Sequence, residues 1–441
     1  MSYFKEMCQS QQAKSDKEIF RTIFVNHWDE FKLRNPEYDQ PQYEVPVQKM
    51  LGCGKESNGY SEYICLDCGK DLRRIAFSCK SGFCLSCSKK YVDDFVSQVS
   101  NMLHGGVIYR HIVLTIPKQL RVVFYSNRHD GSLLSSFMRS GHDCLEDVVS
   151  TVKRLPLKIG CIVVVQTHGR SGRYNPHLHI IMTSGGVHVD SKRWIDLGYF
   201  NYETIHKKWQ YHLFGMVKAY FDSDQINRLV NELWRKYPRG LVANVSKGNV
   251  PNECRGLARY LAKYVASPPI AVRRIVNYDG ETVRYWYQDH KTQSKKFETV
   301  TVYTFIGRMV QHIMPKHFHR VRYYGLESTK CFKKWSEVIS HGVKMLGKVI
   351  KGGYEIVTKN DYRARYIKIS GHDPMKCRHC GGEMGLWKLW HPKHGYIYDE
   401  SENIEAGKYD LLPGQSDSGE RRCTVRPSSR GVPLPLFSVP A

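Results

Sequence analysis

Two C-x2-C pairs within one short stretch constrain this chain more than any other feature. Cys65 and Cys68, then Cys84 and Cys87 after a gap of fifteen residues, have the spacing of a four-thiolate zinc site. Each two-residue gap makes a knuckle that aims two sulfurs at one tetrahedral ion. The segment from Cys53 to Cys87 is dense in Cys and Gly and has too little apolar content to fold without a metal. It is expected to form a small zinc-stabilised domain over 46–100. Four protein thiolates leave no coordination position for substrate, so such a module is a platform and not a catalyst. The competing reading is four reduced cysteines that share no ion. Cys53 and Cys79 read equally as ligands of a second metal or as small buried thiols. Cys377-x2-Cys380, followed by Gly381-Gly382, is a further knuckle without a matching downstream pair. His391, His394 or Cys423 could complete it, and a metal-free reading stands beside that one.

The rest of the 441 residues narrows the class. A formal net charge of +24 is self-repulsion that a polyanionic partner would relieve, and nucleic acid is the first candidate. The Lys and Arg are spread along the chain, which argues against a membrane surface as that partner. With 41% hydrophobic and 12% aromatic residues, the chain can bury enough surface to exclude disorder throughout. No apolar run approaches the roughly 20 residues of a membrane span, and the first residues lack the apolar core of a signal peptide. A soluble, cytosolic protein is expected, whose clustered cysteines read as metal ligands before disulfides.

Ile19, Phe20, Ile23, Phe24, His27, Trp28 and Phe31 recur at helical spacing, Ser15 and Glu18 form a capping box, and Pro36 stops the helix. A Pro- and Tyr-rich linker runs from Pro36 to Pro46. Tyr109 to Ile116, Cys161 to Thr167 and His177 to Met182 read as central strands. Leu133 to Arg154, Thr204 to Tyr237 and Cys254 to Ser267 read as helices, and a hairpin is expected at Asp279-Gly280 with Val283 to Tyr287 as its return arm. This order predicts an α+β sheet with helices on one face. The expected organisation is a helical arm over 1–45, the zinc domain over 46–100, a main domain over 101–330, a further region with a possible knuckle over 331–410, and a disordered Pro-, Ser- and Gly-rich tail over 411–441.

Two residue pairs carry chemistry within the main domain. His177 and His179 alternate along a strand, so both imidazoles share a face and can chelate a divalent cation in a partly open site. A chance His-x-His among 20 histidines is the plainer reading. Tyr260 and Tyr264 stack one helical turn apart beside Leu257, Leu261 and Val265, which suits a packed core. Arg255, Arg259 and Lys263 decorate the same helix, which suits contact with phosphates. Together the pairs complement one another: a tyrosine hydroxyl can attack a phosphodiester while a cation neutralises the phosphate.

These residues resemble the two-tyrosine, rolling-circle transposases of bacterial insertion sequences, members of the HUH endonuclease superfamily. The resemblance rests on Cys65, Cys68, Ser78-Cys79-Lys80, Cys84 and Cys87, and on Gln166-Thr167-His168-Gly169. It continues through Pro176-His177-Leu178-His179 with Ser184-Gly185-Gly186, and through Tyr260-Leu261-Ala262-Lys263-Tyr264. His312-Ile313-Met314-Pro315-Lys316 and Arg320 to Gly325 complete it, so that roughly residues 15 to 385 are covered. It implies an HUH-type antiparallel sheet with the histidines on a central strand and the tyrosine helix nearby. It implies Mg²⁺ or Mn²⁺ on His177 and His179 with Gln166 as third ligand and His168 behind it, Tyr260 and Tyr264 as nucleophiles, and structural Zn²⁺. The expected activity is nicking and rejoining of single-stranded DNA at element ends and target through 5′-phosphotyrosine intermediates. A replication initiator of identical chemistry and a non-catalytic zinc-dependent nucleic-acid-binding regulator are the alternatives.

Overall fold

The chain's long apolar β-branched runs require cover on both faces of whatever sheet they enter, and the architecture supplies it. The computed structural model describes residues 2–87, 94–96, 99–198, 203–245, 254–265, 269–289, 292–345, 363, 367 and 371–405. These divide into two units, one from Met1–Leu51 with Lys80–Lys359, the other from Gly52–Cys79 with Asn360–Ala441. The expectation for the tail from Leu411 falls outside the described residues.

The larger unit begins with α1 (Ser2–Arg34). It runs straight through Ser15 and Glu18, because no Pro or Gly precedes them to break it. Pro36 does end it, and the Asn35 amide closes the last turn on the Phe31 carbonyl at 3.0 Å. Phe20, Ile23, Phe24, Trp28 and Phe31 are buried, with Phe20 and Phe24 against Phe83. The expected linker is largely helical: α2 (Pro41–Leu51) contains Pro46, and is tied to α1 through Glu44, which accepts from Trp28 Nε1 at 2.8 Å and Lys32 Nζ at 2.9 Å. Burial of Tyr43, Val47 and Met50 overrides the local helix-breaking tendency of the proline.

The central sheet is antiparallel and six-stranded: β3 (Tyr109–Thr115), β4 (Leu157–His168), β5 (Tyr174–His188), β6 (Arg193–Asp196), β7 (Ala243–Val245) and β11 (Val321–Gly325). Its order is β11-β4-β5-β3-β7, with β6 paired to β5. One face carries Ile112, Leu114, Val163, Val165, Leu178 and Ile180. They pack on Phe137 and Leu145 of α4 (Gly131–Lys153) and on Trp209 and Leu213 of α5 (Glu203–Phe221). The opposite face carries Ile162, Val164 and Ile181 against Leu257 and Leu261 of α7 (Cys254–Val265) and Trp335 and Ile339 of α9 (Thr329–Met345). The fold is α+β and antiparallel as expected, but helices cover both faces and not one. β4 is apolar without a break from Cys161 to Val165 and buried on both faces there, a run that an exposed face would not tolerate.

The Asp279-Gly280 hairpin forms with Tyr278 opposite Val283. Asp279 closes it by accepting from the Glu281 and Thr282 amides at 2.9 and 2.6 Å. A further strand, Lys295–Thr301, extends it to three.

In the smaller unit β1 (Tyr60–Cys65) and β2 (Leu72–Ala76) pair with each other, and β12 (Met384–His391) and β13 (Gly395–Asp399) continue the sheet in the order β13-β12-β1-β2. Among the described residues no helix is long and apolar enough to cross a membrane.

Candidate active site

β5 is central in its sheet, and register decides what its histidines meet. His177 lies opposite Thr115 of β3 and Gln166 of β4, and His179 lies opposite Val113 and Val164. Alternation puts both imidazoles on the face that α7 covers, with ring centroids 4.8 Å apart. His177 Nδ1 is 2.7 Å from the Asn175 carbonyl. A carbonyl only accepts, so neutral His177 carries its proton on Nδ1 and presents the lone pair of Nε2. His179 Nε2 is 3.1 Å from Gln166 Oε1, and Gln166 Nε2 is 3.2 Å from His168 Nε2. Two imidazole nitrogens and an amide oxygen are donors that suit a divalent cation with open positions.

His111 of β3 sits diagonally from His179 and was not singled out from the sequence. Its Nε2 is 3.0 Å from His179 Nδ1, with the two rings stacked at 5.2 Å. Its Nδ1 is 2.8 Å from the Tyr260 phenol. One imidazole therefore joins the His-x-His strand to the tyrosine helix. The alternation of Tyr109, His111 and Val113 places these three on one face, but nothing in a single strand says which histidine lies beside it in the next.

α7 reaches the sheet because its apolar stripe is deeply buried: Leu257, Ala258, Leu261 and Ala262 are all within 1% exposure. Tyr260 sits at the edge of that cluster, partly buried against it. The packing and chemical readings of this residue are compatible, since its ring packs while its hydroxyl meets His111. Arg259 is exposed. The side chains of Arg255, Lys263 and Tyr264 lie outside the described residues.

Burial governs the protonation of the histidines. Desolvation pushes His111 down to about 4 and lowers His177. His179 is held well below the usual imidazole range, first by burial and then by the neighbouring His177, His111 and His168. Neutral imidazoles are the form that ligates metal. His312, fully enclosed and pushed to about 3 by burial, braces the end of β4. Its Nδ1 meets Thr167 Oγ1 at 3.1 Å and its Nε2 meets the Gly172 carbonyl at 2.9 Å.

The cysteines pair differently from the expected set. Cys65 and Cys68 do not share a site with Cys84 and Cys87. Their thiols gather with those of Cys377 and Cys380, all within 4.8 Å of one another. Cys53 lies in the same unit as that quartet, and its Sγ accepts from the Cys79 amide at 3.4 Å. The reason is strand pairing: β1 ends at Cys65 directly opposite Met384 of β12, which brings the later knuckle to the earlier one.

Comparison with known proteins matches two stretches of the chain. A family described as "Transposase zinc-binding domain" matches residues 23–116, and one described as "Putative transposase" matches residues 160–334. The chain is 27% identical over 355 residues to the transposase for insertion sequence element IS801 of Pseudomonas savastanoi, covering 77% of this chain and 82% of that protein. It is 24% identical over 393 residues to the "Putative transposase y4qJ" of Sinorhizobium fredii, covering 83% and 94%. No solved structure matches.

Proposed function

We propose that this chain, which belongs to the transposases that join a zinc-binding domain to a transposase domain, nicks and rejoins single-stranded DNA through a tyrosine-linked intermediate. The observation that carries the reading is the hydrogen-bonded line Tyr260–His111–His179, with spacings of 2.8 and 3.0 Å. It couples a potential nucleophile to a potential cation ligand through one buried imidazole.

His177, His179 and Gln166 would hold a Mg²⁺ or Mn²⁺ ion, whose chemistry there is neutralisation of charge on the scissile phosphate. The line itself has two polarities. With the His179 proton on Nε2, donated to Gln166 Oε1, His111 donates from Nε2 and accepts the Tyr260 hydroxyl at Nδ1. With the His179 proton on Nδ1, the form that frees Nε2 for a cation, His111 accepts at Nε2 and donates from Nδ1 to the phenolic oxygen. The second polarity stabilises negative charge on the attacking atom, which is the requirement of a tyrosine nucleophile.

The Tyr260 phenol gives up its proton to solvent, and its oxygen then forms a bond to phosphorus as the bond to the 3′ oxygen breaks. The 3′ oxygen takes a proton from solvent and leaves as a hydroxyl, and the 5′ phosphate stays on the enzyme. Tyr264, one turn along α7, would repeat the step at a second site, so that element and target are joined without ATP. Arg255, Arg259 and Lys263 would hold the strand through its phosphates, and the zinc module would bind element ends. A cytoplasmic, nucleoid-associated location follows from such a substrate.

The test is incubation with single-stranded element-end DNA and Mn²⁺. A covalent protein–DNA adduct is expected, lost when both tyrosines become Phe. DNA binding without any adduct would leave a non-catalytic nucleic-acid-binding protein as the reading, and an adduct that persists in the double variant would remove the tyrosines from the chemistry.

A further inference from the structure

The two knuckles of the smaller unit are built alike although more than three hundred residues separate them in sequence. In Cys65-x2-Cys68-Gly69 the glycine has φ +68° and its amide donates to the Cys65 carbonyl at 3.0 Å. In Cys377-x2-Cys380-Gly381 the glycine has φ +74° and its amide donates to the Cys377 carbonyl, again at 3.0 Å. A left-handed residue after the second cysteine is what lets each loop fold back and turn both sulfurs the same way. Cys65 Sγ lies 3.5 Å from Cys380 Sγ, and Cys68 Sγ lies 3.7 Å from Cys377 Sγ. Zinc–sulfur bonds of about 2.3 Å in a tetrahedron place sulfurs about 3.8 Å apart, so the quartet has the dimensions of a loaded site.

The protein around the quartet holds the two halves together without relying on the thiols. Asp71, between the knuckle and β2, accepts from Arg73 and from the Arg378 amide at 2.8 Å. Arg73 reaches across to the Pro374 and Lys376 carbonyls, each at 2.7 Å. The Leu66 amide donates to the Glu383 carbonyl at 3.0 Å, and Arg363 pairs with both Asp373 and Glu383. Amides also point at the sulfurs, Cys68 N to Cys65 Sγ at 3.5 Å and His379 N to Cys377 Sγ at 3.3 Å, as thiolate ligands require.

We propose that Cys65, Cys68, Cys377 and Cys380 hold one structural zinc ion, so that the transposase region is an insertion within a zinc module whose second half follows it in the chain. The zinc-binding family match ends at residue 116 and contains only half of this site. A chain ending before Cys377 cannot assemble it, and the ion is acquired only when both ends of the protein are present. The inference is independent of the nicking chemistry.

Zinc content of the full-length protein tests it. Cys65→Ser/Cys68→Ser and Cys377→Ser/Cys380→Ser should each lose one equivalent of zinc, and the fourfold variant should lose that same one and no more. Cys380→His, which still offers a nitrogen ligand, should keep it. Unchanged zinc in the Cys377→Ser/Cys380→Ser variant, or loss of two equivalents in the fourfold one, overturns the assignment. A measurement on the wild-type protein guards against variants that fail to fold. Under native conditions with zinc, all four cysteines should resist alkylation, including Cys380 although it is exposed, and all four should become reactive together as a chelator is titrated in. Alkylation of Cys377 and Cys380 while Cys65 and Cys68 stay protected overturns it equally.

Discussion

Replacing His111 with Phe removes both ring nitrogens while keeping a flat ring in the slot between Tyr260 and His179. Two hydrogen bonds are lost, at 2.8 and 3.0 Å. Each contributes about 0.5–1.5 kcal/mol net, so the pair is worth about 1–3 kcal/mol if both act in the transition state. At about 1.4 kcal/mol per decade this is roughly a 5- to 150-fold slower nicking step. Loss of the partner that orients His179 should also weaken cation affinity by about 10- to 100-fold, so the rate must be read at saturating Mn²⁺. The assay is single-turnover formation of the covalent adduct on a 3′-labelled single-stranded oligonucleotide, since the 3′ fragment retains the phosphate on tyrosine. DNA affinity measured in parallel should be unchanged, because phosphate contacts by Lys and Arg supply it. A rate within twofold of wild type at saturating metal, with Tyr260→Phe inactive, would refute the coupling of nucleophile and ligand through His111.

Other outcomes follow from burial. Glu327 is fully buried, accepts from Tyr109 at 2.7 Å and is raised to about 8 by desolvation. The folded chain holds a proton there that the unfolded chain releases above about 4.5, so stability falls as pH rises toward 8, by about 4 kcal/mol between pH 5 and 9. Glu327→Gln should flatten that decline in denaturant unfolding, and an unchanged pH slope would contradict it. His104 and His312 act in the opposite sense, since burial depresses them to about 4 and about 3. The unfolded chain takes up protons below about 6.5 that the folded chain refuses, so in the Glu327→Gln background these two alone should cost about 4 kcal/mol at pH 5 relative to pH 7, and His111 adds to that loss. Equal denaturation midpoints at the two pH values would show these imidazoles to be solvated. Leu261→Ala on α7, at a fully buried position, should destabilise the larger unit by about 2–5 kcal/mol. A thermal midpoint equal to wild type would mean that this helix is not packed on the sheet.

How much was legible in the sequence depended on whether the signal was local. The runs that form β3, β4 and β5 and the helices around Leu133 and Thr204 could be read from periodicity, because burial of one face or two is written into neighbouring residues. The shared face of His177 and His179 followed from strand alternation alone. The partners of those residues did not follow. His111 meets His179 because β3 and β5 pair in a register that puts Val113 opposite His179, and register is a property of two strands together. Helical cover of the second sheet face was missed for the same reason: α7 and α9 are remote in sequence from β4 and β5, whose Ile162, Val164 and Ile181 they cover.

The cysteines show the limit most plainly. That Cys65-x2-Cys68 is spaced to ligate a metal could be read from the residue order alone, whereas Cys377-x2-Cys380 by itself left a metal-free reading open. Which knuckle faces which is a choice among chemically equal partners. Only the antiparallel pairing of β1 with β12 decided it, because a tetrahedral ion needs its four sulfurs within a few ångströms, and proximity between distant segments exists only once the chain has folded.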